Sequence, residues 1–280
     1  MSVYDEITQA IIAELEKGVT PWVKSWQSHL PQNFISRKEY RGINVILLWV
    51  RGYKSPYWLT FRQTGELGGR IKKGEKATRI VYAATGRKVV VGPDEQKEEE
   101  YFFLKRYLVF NLEQTEGIAY EKPEIKRSST IIEEAETFIT GIGAKVEIGG
   151  SRAFYSPSTD EIYLPNPSDF HSMVDYYATA LHEHVHWSGY SSRLNRPLVT
   201  RYGTEEYAFE ELVAELGAAF LCSHLQVSSC LREDHAAYIQ SWIRVLKEDK
   251  RAIFRASALA TKAADYLRAK SAEFDLQEAV

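Results

Sequence analysis

With 280 residues, 44% of them apolar and 26% charged, the chain can bury two cores of ordinary size and has the balance of a water-soluble globular protein. No run approaches the roughly 18 consecutive apolar residues of a membrane helix, and acids spread through residues 1–18 leave no apolar stretch for a secretory leader, so a cytoplasmic protein without a membrane partner is expected. The net charge of −3 hides an imbalance: residues 20–90 hold 14 Lys or Arg against 3 Glu, a surplus of +11 inside a chain that is otherwise acidic, which points to two jobs in one chain.

In chain order, residues 3–17 predict an amphipathic helix with Ile7, Ile11, Ile12 and Leu15 on one face and Gly18 at its stop. Residues 19–58 are irregular and aromatic. A short helix over 60–67 is capped by Thr60 and ended by Gly68-Gly69. Two strands are expected at 79–84 and 88–92, separated by a turn at Thr85-Gly86-Arg87. A solvated acidic loop over 93–100 precedes a third strand at 101–112. Periodicity is lost over 116–128, around Pro123, and the linker is placed there. The second half opens with a helix over 129–141. A hairpin follows, its strands 153–156 and 161–164 joined by Pro157-Ser158-Thr159-Asp160. Helices come next near 168–188, 204–224, 232–247 and 248–272. Cys222 and Cys230 fit neither a zinc knuckle nor a redox pair, and are expected to be reduced, buried thiols.

The strongest chemical signal is H-E-x-x-H over His182–His186. On a helix, residues i and i+4 stand one above the other, so both imidazoles can reach one ion. Glu183, beside the first ligand, is placed to act as general base on the attacking water. Gly189 fits an extended motif whose third histidine would fall at position 192, but that residue is Ser. The third ligand is therefore sought on the next helix, in Glu210-Glu211-Leu-Val-Ala-Glu215. Glu211 is the expected ligand, with Glu210 as substitute, and Glu215 one turn later is expected to buttress a ligand histidine. His184 points away from both ligands, about 160° around the helix from each, and is expected to be a packed or surface residue. His224 is expected to lie too far along the next helix to bind. Tyr190, Tyr202 and Tyr207 are candidates for oxyanion stabilisation, and the sequence does not choose among them.

In the basic block, aromatic residues interleave with cations, the combination that single-stranded nucleic acid needs for stacking and for phosphate contact. The residues expected to contact it are Trp22, Trp26, Tyr40, Arg41, Asn44, Tyr57, Trp58, Arg62, Gln63, Arg70, Lys72, Lys73 and Lys76.

Matched blocks in the same order then make the chain resemble the ArdC-type antirestriction proteins of conjugative plasmids and phages. They include Tyr4-Asp-Glu-Ile7, Leu15-Glu-Lys-Gly18, Pro21-Trp22, Tyr40-Arg41-Gly42-Ile43-Asn44, Trp58-Leu-Thr60, Lys72-Lys-Gly-Glu75, Val109-Phe-Asn111, Gln114-Thr-Glu-Gly117, Arg193-Leu-Asn-Arg196, Tyr207-Ala208 and Glu210-Glu-Leu-Val-Ala-Glu-Leu-Gly217. Two positions depart from that pattern. His184 stands where an apolar residue is usual, and Tyr190 where a His often follows the glycine.

The resemblance implies an α+β fold: an N-terminal α+β domain (1–122) that binds single-stranded DNA, then a mainly helical zincin-like metallopeptidase domain with a small β-sheet (128–280). It implies one divalent metal ion, zinc first, with manganese or another divalent ion as alternatives. The expected partners are single-stranded DNA and a DNA-bound or restriction-related host protein as substrate, with a monomer favoured. The expected role is protection of incoming plasmid or phage DNA from host restriction by an endopeptidase. The competing reading is a non-enzymatic DNA-binding protein with a structural or vestigial metal site that protects by occlusion. A metal-dependent nuclease fits less well, because such sites are carboxylate-rich.

Overall fold

The computed structural model describes residues 3–22, 29–91, 96–120, 128–198, 201, 203–227 and 235–278. The fold is α+β, as the resemblance implied. Helix α1 (Val3–Glu16) buries the predicted face, Ile7, Ile11, Ile12 and Leu15, and the chain leaves it through Gly18 at φ 74°.

The segment expected to be irregular contains helix α2 (Ile43–Trp49). Its sequence, INVILLW, has no polar face and therefore no helical period to detect. The helix is buried instead, against strand β4 (Thr78–Val91) and helix α8 (Ala252–Glu278). Strands β1 (Gln32–Asn33), β2 (Tyr57–Leu59), β5 (Gln96–Asn111) and β4 form one sheet in the order β1-β2-β5-β4. Helix α3 (Phe61–Glu66) starts on the predicted Thr60 cap, with Gln63 closing a capping box. Strands β3 (Arg70–Ile71) and β6 (Thr115–Glu116) pair as a short ribbon.

One expectation fails in the hairpin. Thr85-Gly86-Arg87 is no turn, because β4 runs through it without a break and pairs along its whole length with β5. The supposed acidic loop supplies the start of β5, and the register sets Arg87 opposite Glu100 and Lys88 opposite Glu99.

The second half follows the predicted order. Helix α4 (Ser128–Ile142) leads to strands β7 (Lys145–Ile148), β8 (Phe154–Ser156) and β9 (Glu161–Leu164), arranged β7-β9-β8. The β8–β9 pair is the expected hairpin, with Asp160 at φ 57° in its turn. Strand β7, parallel to β9, escaped notice because KVEI alternates charge on a mostly exposed edge. Helices α5 (Met173–Ser188), α6 (Glu205–Leu225), α7 (His235–Glu248) and α8 complete the chain.

One apolar core joins Ile11 and Trp22 to Leu181, Leu216, Trp242 and Ala256, so α1 and α2 pack on the C-terminal helices. Along α8, Ala252, Ala256, Ala260, Ala263 and Ala264 are buried, and these small residues let α6 lie close. Helix α6 is buried nearly all round, as a helix at the centre of a core should be. Cys222 is buried in this core; Cys230 lies outside the described residues. No helix among the described residues is long and apolar enough to cross a membrane.

Candidate metal centre

Helix α5 carries H-E-x-x-H and α6 carries the acids, so the distance between the two helices decides whether a site forms. Gly217 on α6 sets that distance. A Cβ there would meet both methyl carbons of Val185 at 2.9 Å, so only glycine allows α5 this close. Capping holds the register: Ser172 accepts from Asp175 N at the start of α5, and Thr204 from Tyr207 N at the start of α6.

The result is a compact donor set. The Nε2 atoms of His182 and His186 lie 3.1 Å apart. Glu211 Oε2 is 3.5 Å from His182 Nε2, and Oε1 is 3.5 Å from His186 Nε2. One ligand atom from each of the three falls within 4.8 Å of the others. Donors about 2.0–2.2 Å from a tetrahedral zinc stand about 3.3 Å from one another, so these residues fit a first-row divalent ion. Two imidazoles and one carboxylate are also the donor chemistry of open, three-ligand sites.

Each imidazole has its own carboxylate behind it. His186 Nδ1 is 3.3 Å from Glu210 Oε1. Glu210 is held in turn by Arg196, whose Nη2 donates to Oε1 at 2.8 Å and Nε to Oε2 at 3.2 Å. Arg196 is buried and also donates to Val185 O at 2.6 Å and to Ser188 Oγ at 3.0 Å. Glu215 Oε1 is 3.3 Å from His182 Nδ1, an ion-pair distance. Glu215 thus stands behind His182. Glu210, the substitute ligand, stands behind His186 and is held by an arginine that the sequence offered only as part of a matched block.

Burial disfavours charge on Glu210 and Glu211, yet both stay below the usual carboxylate range: His186 and Arg196 hold Glu210 down, and His182 and His186 hold Glu211. Burial also acts against a proton on His186, but Glu210 and Glu211 prevail and push it up to about 10. Both acids are therefore anionic and ready to face a cation. Glu183 is 2% exposed on α5 beside His182; so deep a carboxyl is costly without a role or a partner.

His184 is fully buried, as one of its two expected states, with Nδ1 2.7 Å from Ala180 O. Burial lowers it to about 4, so it packs as a neutral ring. His224 is exposed near the far end of α6. Among the three tyrosines the structure favours Tyr207. It stands one turn before Glu211 on α6, its hydroxyl 3.2 Å from that of Tyr238. Burial first, then Glu211 and Tyr238, raise its pKa, which keeps it a proton donor at neutral pH. Tyr190 instead lies under the Arg193 guanidinium, 4.8 Å from ring centroid to Cζ, and Tyr202 lies outside the described residues.

The residues predicted to contact nucleic acid scatter. Trp22 and Trp58 are each 2% exposed. Trp22 packs edge-on against Trp242, and Trp58 against Tyr53, so neither ring can stack on a base. Asn44 is spent too: its Nδ2 donates to Val81 O at 2.7 Å and its Oδ1 accepts from Val81 N at 2.9 Å. Gln63 closes the α3 cap and meets Asn33 at 3.1 Å. Tyr40 is half-buried against the core. Arg41, Arg62 and Arg70 are exposed but paired with Asp265, Glu66 and Glu116, and Lys72 donates to Glu113 O at 2.7 Å. Lys73 and Lys76 are exposed. Tyr57 is half-buried in a surface aromatic cluster. Trp26 lies outside the described residues.

Comparison with known proteins agrees with this architecture. Residues 1–110 match the family model for the N-terminal domain of anti-restriction factor ArdC, and residues 133–259 that for a zincin-like metallopeptidase. The crystal structure of the antirestriction ArdC protein from plasmid R388, in its metal-free form, superposes with a TM-score of 0.84 at 39% identity, covering 98% of this chain and 99% of that one. Its Mn(II)-bound form gives 0.79 at 37% identity, covering 98% and 100%. The protein y4eC of Sinorhizobium fredii is 35% identical over 99% of this chain and 94% of its own. A DNA primase TraC of Escherichia coli is 37% identical over 95% of this chain, which spans only 27% of that longer protein.

Proposed function

This chain belongs to the ArdC antirestriction family, and from that membership we infer that it binds single-stranded DNA and carries a working metallopeptidase centre, which together protect incoming plasmid or phage DNA from host restriction. Residues 1–122 hold the strand in this reading, and residues 128–280 act on a protein bound to it. The observation that carries the peptidase half is Glu183, a carboxyl buried beside a fitting three-ligand donor set. A purely structural site has no use for it.

His182, His186 and Glu211 would hold the ion. A divalent ion bound there supplies Lewis acidity toward a peptide carbonyl. The Mn(II)-bound R388 relative makes manganese a candidate beside zinc. The protein's own residues do the rest. Glu183 takes the proton of the attacking water and passes it to the leaving amine. Tyr207 donates a hydrogen bond to the developing oxyanion, with Tyr238 orienting its hydroxyl. Glu210 and Glu215 fix the imidazole planes from behind.

The test is Glu183→Gln. The variant is expected to keep its ion and its DNA affinity while losing protection of DNA transferred into a restricting host. Protection at the wild-type level would show that occlusion, not peptide hydrolysis, is the mechanism.

A further inference from the structure

A tight loop after β1 brings a cation and a ring beside Tyr57 of β2, and the metal centre uses none of them. Asn33 closes the loop: its Oδ1 accepts from Ile35 N at 3.2 Å and from Ser36 N at 3.0 Å. Its backbone N donates to Lys38 O and its backbone O accepts from Arg37 N, both at 2.9 Å. This closure drives Arg37 to φ 57°, a left-handed conformation that a residue with a long side chain adopts only when its surroundings impose it.

The strained residue is aimed. Its Cζ lies 4.7 Å from the Phe34 ring centroid and 4.5 Å from that of Tyr57, both inside cation–π range. Phe34 and Tyr57 meet edge to face at 5.4 Å, and Tyr57 meets Tyr120 at 6.4 Å. Ile35, next to Phe34 in the chain, is 47% exposed and Phe61 is 72% exposed, and Gln63 on Phe61's helix bonds to Asn33. Arg41, Arg62 and Arg70 are each answered by a carboxylate, whereas Arg37 has no ion pair among the described residues. Its charge is left for a ligand.

We propose that Phe34, Arg37 and Tyr57 form a base-stacking platform for single-stranded DNA. The proposal rests on the DNA-binding reading above and names its site. Rings and a guanidinium plane accept any base with an open face, and an unpaired cation beside them accepts the phosphate of the same nucleotide. In a duplex the faces of the bases are covered by their neighbours, so only an unpaired strand can use such a platform.

Fluorescence anisotropy of a labelled oligothymidylate with the full chain tests it, alongside a duplex of mixed sequence. Arg37→Ala and Tyr57→Ala are each expected to weaken binding about tenfold, as loss of one stacking contact does. Arg37→Lys, which keeps the charge but not the plane, should fall between them and wild type. Lys270→Ala, an equal loss of charge on α8 outside the platform, should stay within about twofold, because one screened surface cation contributes little. Wild-type binding that survives both alanine substitutions, or a duplex bound as tightly as the single strand, overturns the platform alone. Absence of wild-type binding overturns the DNA-binding reading with it. Arg37 is exposed, so its variants stay informative even where Tyr57→Ala fails to fold.

Discussion

The α5–α6 centre and the strand-rich half before residue 120 handle charge in opposite ways. Around the centre the acids of α6 are buried and answered: Glu210 by His186 and Arg196, Glu211 by His182 and His186, and Glu215 by His182. In the strand-rich half the cations lie at the surface, some pinned to single carboxylates and Arg37 pinned only to rings. The first pattern is a rigid donor set whose geometry is prepaid by packing. The second leaves cations and aromatic faces available to a flexible polymer. The difference teaches that in this molecule burial marks the proposed chemical site and exposure the proposed binding surface, even though both halves share one core.

That contrast can be broken most forcefully at Trp58. If it is core, Trp58→Ala costs about 3–5 kcal/mol in denaturant unfolding and leaves the DNA affinity of the folded fraction unchanged. Lost affinity with unchanged stability would move Trp58 to the binding surface. At the centre, Glu215→Gln keeps the shape of the side chain but removes the charge behind His182. Calorimetric titration should show about 10–100-fold weaker ion binding, and equal affinity would mean the buttress is idle.

The smallest effect sharpens the boundary between buried and exposed charge. Asp160, whose carboxyl bonds Arg193 at 2.9 Å and Tyr155 at 2.8 Å, is held below its ordinary 3.8 first of all by Arg193, against the opposing pull of burial. Its stabilising contribution is therefore present above that ordinary value and is lost as pH falls through the lower, folded one. Asp160→Asn, which still tolerates the left-handed turn, should cost under about 1 kcal/mol at neutral pH, because the pair is partly solvated. Melting curves of the two proteins should converge in acid. A gap that persists there would assign the effect to turn geometry rather than charge.

The two regions also differ in how far their sequence could be followed. Helical spacing converts directly into position, so His182 and His186 could be placed on one face from their numbers alone, and Glu211 and Glu215 likewise. The caps at Thr60 and the β8–β9 turn are equally local. What decides whether Trp22 or Tyr57 meets solvent is the packing of distant elements, and an aromatic residue looks the same in either place. Arg37 carries no local mark at all: its posture comes from hydrogen bonds to Asn33. Helix α2 was hidden for the related reason that a segment buried on all sides has no pattern. Arg196 was hidden because its role depends on a loop returning to α6.

The central claim is that two imidazoles of α5 and one carboxylate of α6 share a single ion. Mass-spectrometric metal analysis of protein purified without chelator, beside His186→Ala and Glu211→Ala, tests it most directly. About one divalent ion per wild-type chain and almost none in either variant is the predicted result. A wild type free of metal, or variants that keep a full complement, would contradict it.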